Sequence, residues 1–388
     1  MLGKRFAVIA FAVAVLFTPS ELCASDIYDY EPSFSPYYAG AVKSAVLYDA
    51  LDELNYIRWL IGVPNNVTLN AEYTRKAQHG AVLLDALNTL THTPGRPSDM
   101  DTSFYELGYD ATTHGNLAVA QMHQGSQVYG NMSLSYSTKM YMNDSDSSNI
   151  SAVGHRRWLM NPRLKQTGFG ISTRRGYAVT YVIEEFSHSD EGNTLTQEEY
   201  ARYLEWRKWP ISDEYITWPT NKHPHPLTYF EGNTAWSVTL NSNVYDECNA
   251  SAVRVRLTRL ADNATWNFGA SENGGYFTVA DSGVAYDECI IFRPNGVSAY
   301  NDGEMWRVEV SGLRRKDGGM GNISYTVQFT SSLTGHEEQD NTQNTPVNRQ
   351  EIHHYYHDDR DKEYWCNSLS GTFPALMLLL IFGIPRRK

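Results

Sequence analysis

The spacing of apolar side chains changes once along this chain of 388 residues, and that change limits the folds open to it. Up to Glu185, apolar residues recur every three or four positions in several segments, which is typical of amphipathic helices. From residue 235 to residue 332 they alternate with polar residues in short runs, which is typical of strands with one solvated face. We therefore predict an α+β protein in which a helix-rich domain, residues 41–185, precedes an all-β domain, residues 235–332.

Local signals place the elements of the helix-rich part. A first helix carries apolar residues at helical spacing between Leu47 and Ile61, and Pro64 ends it. Asn70, a residue type that caps helices, begins a second helix, which the sequence HTPG at 92–95 breaks. The remaining predictions are a loop up to Asp110, short helices at 117–121 and 136–142, and a strand pair at 167–172 and 177–184.

The all-β part contains four clear runs of alternating apolar and polar side chains, at 236–240, 253–257, 306–310 and 325–329. Short strands at regular intervals predict a β-sandwich of immunoglobulin-like size. Residues 186–234 combine a short polar helix with several steps that pair proline with an aromatic residue or histidine, which helices exclude. We interpret that segment as a connector between the two domains.

Residues 1–24 have the three-part layout of a secretory signal peptide. Lys4 and Arg5 precede an uncharged apolar run at 6–17, and small residues follow before a cleavage site after Ala24 or Ser25. A membrane anchor is the alternative, but the apolar run is short for a span. We therefore predict an exported protein.

The C-terminal segment predicts attachment to a membrane. Residues 333–364 are polar and charged and read as a disordered linker. Residues 365–388 combine Cys366, an apolar run at 373–384 and a basic end, which is a stop-transfer layout. This layout is similar to the sorting tails of some Gram-negative bacteria that a rhomboid-type protease reads; a simple tail anchor is the alternative. The expected location is the cell envelope or outer surface, or the medium after processing of the tail.

The balance of charge argues against nucleic acid as a partner. Acidic residues number 44 and basic residues 32, so the formal net charge is −12, and no basic stripe stands out. A nucleic-acid-binding surface needs clustered Lys and Arg to neutralise phosphates. Hydrophobic residues make up 41% of the chain, which is enough for buried cores.

Two of the four cysteines, Cys248 and Cys289, lie in the all-β part, each at the end of a Tyr-Asp-Glu-Cys phrase. In an oxidising compartment they are candidates for a disulfide. A metal site that also uses the acidic residues is the alternative, although two thiols alone do not make a zinc site. We predict the disulfide.

Four short phrases follow one another in the helix-rich part: HGNLA at 114–118, YMND at 141–144, GHRRW at 154–158 and TGFGI at 167–171. Their order resembles the CAP superfamily, the group of cysteine-rich secretory, antigen 5 and pathogenesis-related-1 proteins, in its bacterial form. The resemblance implies an α-β-α sandwich with a central cleft. In that family the cleft holds two histidines and two glutamates, and the histidine pair can bind a divalent metal.

Matched to the motifs of the family, His92 and His155 take the places of the two cleft histidines. Asn116 takes the place of the Asn in the Gly-Glu-Asn phrase of the family, whose Glu falls on Gly115 here. The resemblance therefore implies a ligand cleft at His92, Asn116 and His155. It also implies that the two histidines hold a divalent metal such as zinc.

Both glutamates of the family are missing from this sequence. The second is expected a turn or two before Tyr141, and residues 107–183 contain no Glu. Asp144 and Asp146 are near in sequence but off register. Without a carboxylate we expect no evident general base and a weaker orientation of the two imidazoles.

The missing carboxylates favour binding over catalysis. Ser151 could share a helix face with His155, but no acid completes a triad. We therefore predict an exported protein that binds an envelope ligand or a surface partner. Two alternatives stay open: a metal-assisted hydrolase of peptide or cell-wall polymer, and a structural or adhesive surface protein whose cleft is vestigial.

The histidines also have plainer interpretations. His92 could cap helix carbonyl groups. His114 could be a replacement ligand, and a turn residue is the simpler reading. His223 and His225 alternate with Pro and are expected to be solvated, and the histidines of residues 353–357 could bind metal adventitiously.

Overall fold

Three stretches of the chain, residues 24–183, 196–225 and 229–332, are described by the computed structural model. The predicted signal peptide up to residue 23, the linker at 333–364 and the tail with Cys366 lie outside them. Within the described residues, no helix is both long and apolar enough to cross a bilayer.

Residues 24–183 combine helices with short strands. The helices there are α1 (Ala24–Ile27), α2 (Ser44–Leu60), α3 (Ala71–Leu87), α4 (Thr102–His114), α5 (Leu134–Asn143) and α6 (Gly154–Met160). The strands there are β1 (Tyr28–Tyr30), β2 (Ser33–Phe34), β3 (Tyr37–Tyr38), β4 (Ala41–Val42), β5 (Thr68–Leu69), β6 (Gly115–Val119), β7 (Gln121–Gln124), β8 (Gln127–Gly130), β9 (Gln166–Ser172) and β10 (Tyr177–Tyr181). The predictions of α2, α3, α5 and the β9–β10 pair are confirmed.

A four-stranded sheet in the order β5-β9-β10-β6 forms the middle of this part. Strand β10 pairs antiparallel with β6 and β9, and β5 pairs parallel with β9. Along β10, Tyr177, Val179 and Tyr181 pack with apolar residues of α3 and α4, whereas Ala178 joins the core that contains residues of α2 and α5. Because side chains alternate along a strand, helices cover both faces of the sheet.

Helix α4 occupies a segment that we predicted as a loop. It follows Asp101, and Phe104, Gly108 and Ala111 lie buried on one face. The face is hard to detect in the sequence because Gly108 contributes no apolar side chain. A Cβ at Gly108 would lie 3.0 Å from the carbonyl oxygen of His79 in α3. The close approach of α3 and α4 requires a glycine at position 108, and the same glycine interrupts the apolar pattern by which the helix could have been predicted.

Residues 117–121, predicted as a short helix, are instead the end of β6 and the start of β7. Leu117 pairs with Val179 and Ala118 with Ala178 in β10. The first four residues of β6 are buried. Since a strand buried on both faces is continuously apolar, its sequence has no period that separates it from a short buried helix.

Gly168 and Gly170 let β9 approach α3 closely. A Cβ on Gly168 would lie 2.2 Å from the backbone nitrogen of Thr74, and one on Gly170 would lie 2.2 Å from the carbonyl carbon of Ala77. Phe169 between them is buried in the core on the α2 and α5 side. Close backbone packing against α3 therefore requires the two glycines, and the aromatic residue between them fills the core on the other face of the sheet.

Replacing Asn70 by Ala is expected to lower the free energy of unfolding by about 1 kcal/mol. The Asn70 side chain accepts hydrogen bonds from the backbone N–H groups of Glu72 and Tyr73 at 2.9 and 3.1 Å, which confirms the predicted cap of α3. Asp101→Ala is the control, because Asp101 precedes α4 without a side-chain capping bond. We expect a change below about 0.5 kcal/mol there. Urea unfolding measures both, and equal losses would contradict the capping role.

The all-β domain consists of two packed sheets. Helix α7 (Gln197–Trp206) precedes it, and its strands are β11 (Tyr215–Trp218), β12 (Lys222–Pro224), β13 (Trp236–Leu240), β14 (Arg254–Arg259), β15 (Thr265–Phe268), β16 (Gly275–Ala280), β17 (Cys289–Pro294), β18 (Met305–Arg314) and β19 (Met320–Thr330). One sheet has the order β11-β13-β17-β16 and the other β12-β19-β18-β14-β15. The sheets meet in buried aromatic contacts, Trp236 with Trp306 and Phe268 with Phe292. A closer likeness to an immunoglobulin-like sandwich stays a prediction.

Strands β11 and β12 lie in the segment that we interpreted as a connector. They pair with β13 and β19, respectively. His223 in β12 is buried against Trp218, Phe230 and Phe329, so the expectation that it is solvated was wrong. The Pro-His alternation did not exclude a strand because Pro224 lies in an edge strand, where proline is tolerated.

Three arginines of the first domain join it to the β domain. Each is at most 3% exposed, which is unusual for a charged side chain. Their partners are the carbonyl oxygen of Ala235 for Arg156 (2.8 Å), the carbonyl oxygen of Val284 for Arg157 (2.6 Å) and the carboxylate of Asp287 for Arg163 (2.6 Å). Because each guanidinium needs acceptors from the other domain, the two domains are held together by buried polar contacts.

Cys248 and Cys289, the predicted disulfide partners, are both free thiols in the structure. Burial raises the pKa of each thiol, and Glu288 raises that of Cys248 further. The Cys289 sulfur accepts a hydrogen bond from Thr239 Oγ1 at 3.5 Å. Because the thiolate is the reactive form, thiols with raised pKa values are poorly disposed to oxidise. The predicted disulfide is therefore absent here.

Candidate functional site

Asp144 contacts His155, so the expectation that no carboxylate orients the histidines of the predicted cleft was wrong. The Nδ1 atom of His155 donates to Oδ1 of Asp144 at 2.9 Å, and both side chains are buried. Asp144 is the C-cap of α5 and has a left-handed φ of 43°, which Asp adopts more readily than most residues. The carboxylate is supplied by the turn after α5, not by a helical position before Tyr141.

The second oxygen of Asp144 holds the backbone of α6. Oδ2 accepts a hydrogen bond from the backbone N–H of Arg156 at 3.3 Å. Helix α6 begins at Gly154, so this N–H belongs to the first turn, where no intrahelical acceptor is available. One carboxylate therefore fixes both the ring of His155 and the start of the helix that carries it.

His92 lies in the loop after α3, and α4 fixes its ring. Its Nδ1 atom donates to the carbonyl oxygen of Thr112 at 2.7 Å, and Thr112 Oγ1 donates to the carbonyl oxygen of His92 at 3.3 Å. Thr112 lies in the last turn of α4, so the ring does cap a helix carbonyl, as one interpretation proposed. Burial lowers the pKa of His92 and the nearby His155 lowers it further, so the ring is neutral at neutral pH.

The two histidines use their ring nitrogens in the same way. Because the partner of each Nδ1 is an oxygen acceptor, Nδ1 carries a proton in both rings, and the neutral form of either ring has its lone pair on Nε2. An electrostatic effect of His155 is the smaller of the two causes that lower the pKa of His92, after burial. Metal-binding imidazoles are oriented by the same kind of contact from the second nitrogen to an oxygen.

Asn116 supports His155 from the sheet. Its Nδ2 atom donates to the carbonyl oxygen of His155 at 2.9 Å, and its own carbonyl oxygen accepts from the Tyr141 hydroxyl at 3.0 Å. The buried Tyr141 ring stacks on that of His155, with 5.3 Å between centroids. Asn116 therefore lies beside His155, and its amide group holds the backbone there.

Residues 51–186 match the family model for CAP, the cysteine-rich secretory protein family. This part of the chain is similar to a CAP domain, and we refer to it as the CAP domain. The match spans His92, Asn116, Asp144 and His155, and it confirms the resemblance that the motifs indicated. A search of curated proteins and a search of solved structures returned no match. The bacterial type and the sorting tail stay predictions.

The sequence did not identify two contacts of the CAP domain site. The bond from Asp144 to His155 spans 11 residues, and the available signal was an Asp two residues after a predicted helix, where a left-handed residue turns the chain. The partner of His92 is a backbone carbonyl of Thr112, and a backbone acceptor has no signature in the residue type. Only the paths of α4 and α5 bring these groups to the histidines.

His114 of the CAP domain pairs with a neighbour on its own helix. Its Nδ1 atom lies 2.7 Å from Asp110 Oδ1, and Asp110 also pairs with Lys76 at 2.6 Å. Burial alone would raise the pKa of Asp110, but the contacts with His114 and Lys76 outweigh it and lower the pKa to about 2. His114 is therefore the last residue of α4, in a polar network with Asp110, and not a turn residue.

Ser151 does not share a helix face with His155. It is exposed in the turn before α6, which begins at Gly154. In residues 24–183, 196–225 and 229–332, no three or more His, Cys, Asp or Glu side chains are placed together to hold a metal. Two surface pockets, of about 450 and 430 Å³, lie on the β14–β18 sheet and between α3 and α4, and neither is lined by His92 or His155.

Proposed function

We propose that this protein is exported and that its CAP domain binds a ligand at the cell envelope or outside the cell, with a divalent metal such as zinc on His92 and His155. The observation that carries the proposal is that both histidines use Nδ1 for a hydrogen bond within the protein. Both rings donate from Nδ1 to fixed oxygens, which leaves both Nε2 lone pairs for a metal. The lowered pKa of His92 supports it, since an imidazole ligand must be neutral.

The chemistry of these residues fits a zinc-type ion. Imidazole nitrogen is among its usual ligands, and a carboxylate on Nδ1 makes Nε2 a better donor while fixing the ring. Asp144 has that role for His155, and the Thr112 carbonyl has it for His92. When bound, the ion would supply a Lewis-acid position for an anionic or carbonyl group of the ligand. With two histidines as protein ligands, positions remain for water and ligand.

Zinc binding to the full-length protein tests the proposal. The parent for this test carries His353, His354 and His357 replaced by Ala, so that the histidine-rich segment does not contribute binding. We expect one zinc per chain by calorimetry, and we expect His92→Ala or His155→Ala to abolish it because either change removes one of the two imidazole ligands.

His123→Ala is the matched control, since His123 is exposed on β7. It is expected to keep the zinc stoichiometry of the parent. Unchanged zinc content in both His92→Ala and His155→Ala would refute the metal site.

A second candidate function is hydrolysis of peptide or cell-wall polymer. The pair of His155 and Asp144 favours it, because a carboxylate on Nδ1 leaves Nε2 as a general base. The two functions use Nε2 differently, since a nitrogen that binds a metal has no lone pair for a proton. Turnover of casein or peptidoglycan that requires His155 but persists in a chelator would favour this candidate. Absence of turnover, together with zinc binding, favours ligand binding alone.

The place of action in the cell is part of the proposal. Export is supported by residues 1–24, and membrane attachment through a sorting tail is supported by residues 365–388. An adhesive or structural role with a vestigial cleft is the third candidate. This third candidate is favoured by two results together: the protein reaches the cell surface, and neither His92→Ala nor His155→Ala changes the binding of zinc or of any other ligand tested.

A further inference from the structure

We infer that the β domain positions His155, because residues just before and at the start of β13 hold the turn that carries Asp144. We call residues 143–145 the Asp144 turn. Its carboxylate is the group that orients the His155 ring. The inference rests on the proposed role of His155 as a metal ligand, and it assigns Thr234 and Ser237 as positioning residues.

Both neighbours of Asp144 in the sequence are tied to the β domain. Thr234 Oγ1 donates to the side-chain oxygen of Asn143 at 3.1 Å, and the backbone N–H of Ala235 donates to Ser145 Oγ at 2.8 Å. Arg293 of β17 donates to the carbonyl oxygen of Ser145 at 3.3 Å. The Asp144 turn is therefore held on both sides by residues that are far from it in the chain.

The buried side chain of Arg156 completes this connection. Its guanidinium donates to the carbonyl oxygens of Met142 and Asn143 at 2.7 and 2.6 Å, which are at the end of α5. The same group donates to the carbonyl oxygen of Ala235 at 2.8 Å and to Ser237 Oγ at 3.1 Å. The planar guanidinium group of Arg156 thus fixes the distance between the end of α5 and β13.

The consequence is that the site is built by two domains, although the histidines and Asp144 all belong to one. Asp144 adopts a left-handed conformation that is tolerated but not preferred by Asp, so the turn depends on its outside contacts. If the turn relaxes, the bond from Asp144 to His155 loosens and the Nδ1–H tautomer is no longer enforced. Loss of an orienting contact of this kind typically lowers metal affinity by about 10- to 100-fold.

Two variants of the full-length protein test the inference. Thr234→Val keeps the side-chain shape but removes the hydroxyl that binds Asn143, and the double variant Thr234→Val with Ser237→Ala also removes the Arg156 acceptor. Thr234→Ser keeps the hydroxyl and is expected to behave like the parent. Tyr229→Phe is the control at the domain interface, since it removes a bond to Glu53 that does not involve the Asp144 turn.

Two readouts are needed, and the first uses the metal-free protein. The nitrogen-15 shifts of the His155 ring report its tautomer, and we expect only Nδ1–H in the parent, in Thr234→Ser and in Tyr229→Phe, but a mixture in Thr234→Val and the double variant. The second readout is zinc affinity, which we expect to fall about 10- to 100-fold in the same two variants. Circular dichroism confirms that each variant is folded.

The outcomes separate this inference from the proposed function. If the parent binds no zinc, the proposed function fails, and the tautomer measurement still decides whether the β domain positions His155. A single Nδ1–H tautomer in folded Thr234→Val and in the folded double variant would overturn the inference. Equal loss of zinc affinity in Tyr229→Phe would also overturn it, because the effect would then be general to the interface.

Discussion

Replacing Arg156 by Met is expected to lower the free energy of unfolding by about 3–5 kcal/mol. The Arg156 side chain is fully buried, and burial lowers its pKa to about 10, so it is still charged at neutral pH. It donates to four acceptors within 3.1 Å: the carbonyl oxygens of Met142, Asn143 and Ala235, and Ser237 Oγ. Met has a similar length but no donor, so these buried acceptors would lose a partner. The change would also remove the positive charge near the buried Asp144.

Arg202→Met is the control for this prediction. Arg202 is exposed on α7 and pairs with Glu198 at 3.4 Å. A surface pair of this kind contributes at most about 1 kcal/mol. Urea unfolding followed by tryptophan fluorescence measures both variants, since Trp236 and Trp306 report the shared core. A loss below about 1 kcal/mol in Arg156→Met would show that the interface does not depend on this side chain.

Glu53→Gln is expected to stabilise the protein at pH 8 but not at pH 4.5. Glu53 lies in α2, 7% exposed, and accepts a hydrogen bond from the hydroxyl of Tyr229 in the second domain. Burial raises the pKa of Glu53 from 4.5 to about 7, although the hydrogen bonds from Tyr229 and Ser135 oppose that shift. The glutamate is therefore neutral in the folded protein under mildly acidic conditions.

The sign of the pH effect follows from which state holds the proton more tightly. The folded state binds the proton of Glu53 more tightly than the unfolded state does. The contribution of the protonated Glu53 to stability is therefore fully present below about pH 4.5 and is lost as the pH rises to about 7. A rise in the pKa of Glu53 from 4.5 to about 7 corresponds to about 3 kcal/mol. Gln keeps the acceptor oxygen for Tyr229 and does not ionise, so it avoids this loss.

The measurement is the free energy of unfolding of both proteins at pH 4.5 and pH 8. The difference between variant and wild type is expected near zero at pH 4.5 and about 3 kcal/mol at pH 8. Glu247→Gln is the control, because Glu247 is exposed, and its effect is expected below about 0.5 kcal/mol at both pH values. A difference for Glu53→Gln that does not change with pH would contradict a buried titrating carboxyl.

Where local signals are strong, the sequence predicted the elements correctly. The cap at Asn70 and the apolar spacing of the two long helices placed α3 and α2. The β9–β10 pair followed from β-branched residues around a turn. Helix α4 was missed because its contact residue is Gly108, which has no side chain to contribute to a pattern. His223 was misplaced because a proline beside it is equally consistent with a loop and with an edge strand.

The sequence by itself indicated the mixed α+β fold class and the CAP resemblance, and it predicted His92 and His155 as cleft residues, because these inferences depend on residue types at short spacing. Only the tertiary structure decided what orients those histidines. The carboxylate of Asp144 reaches His155 because the chain turns after α5, and the turn is held by Thr234, Ala235 and Arg293 of the other domain. Contacts between residues that are distant in the chain are set by tertiary packing and not by local conformational preference, so the residue types along the sequence do not predict them.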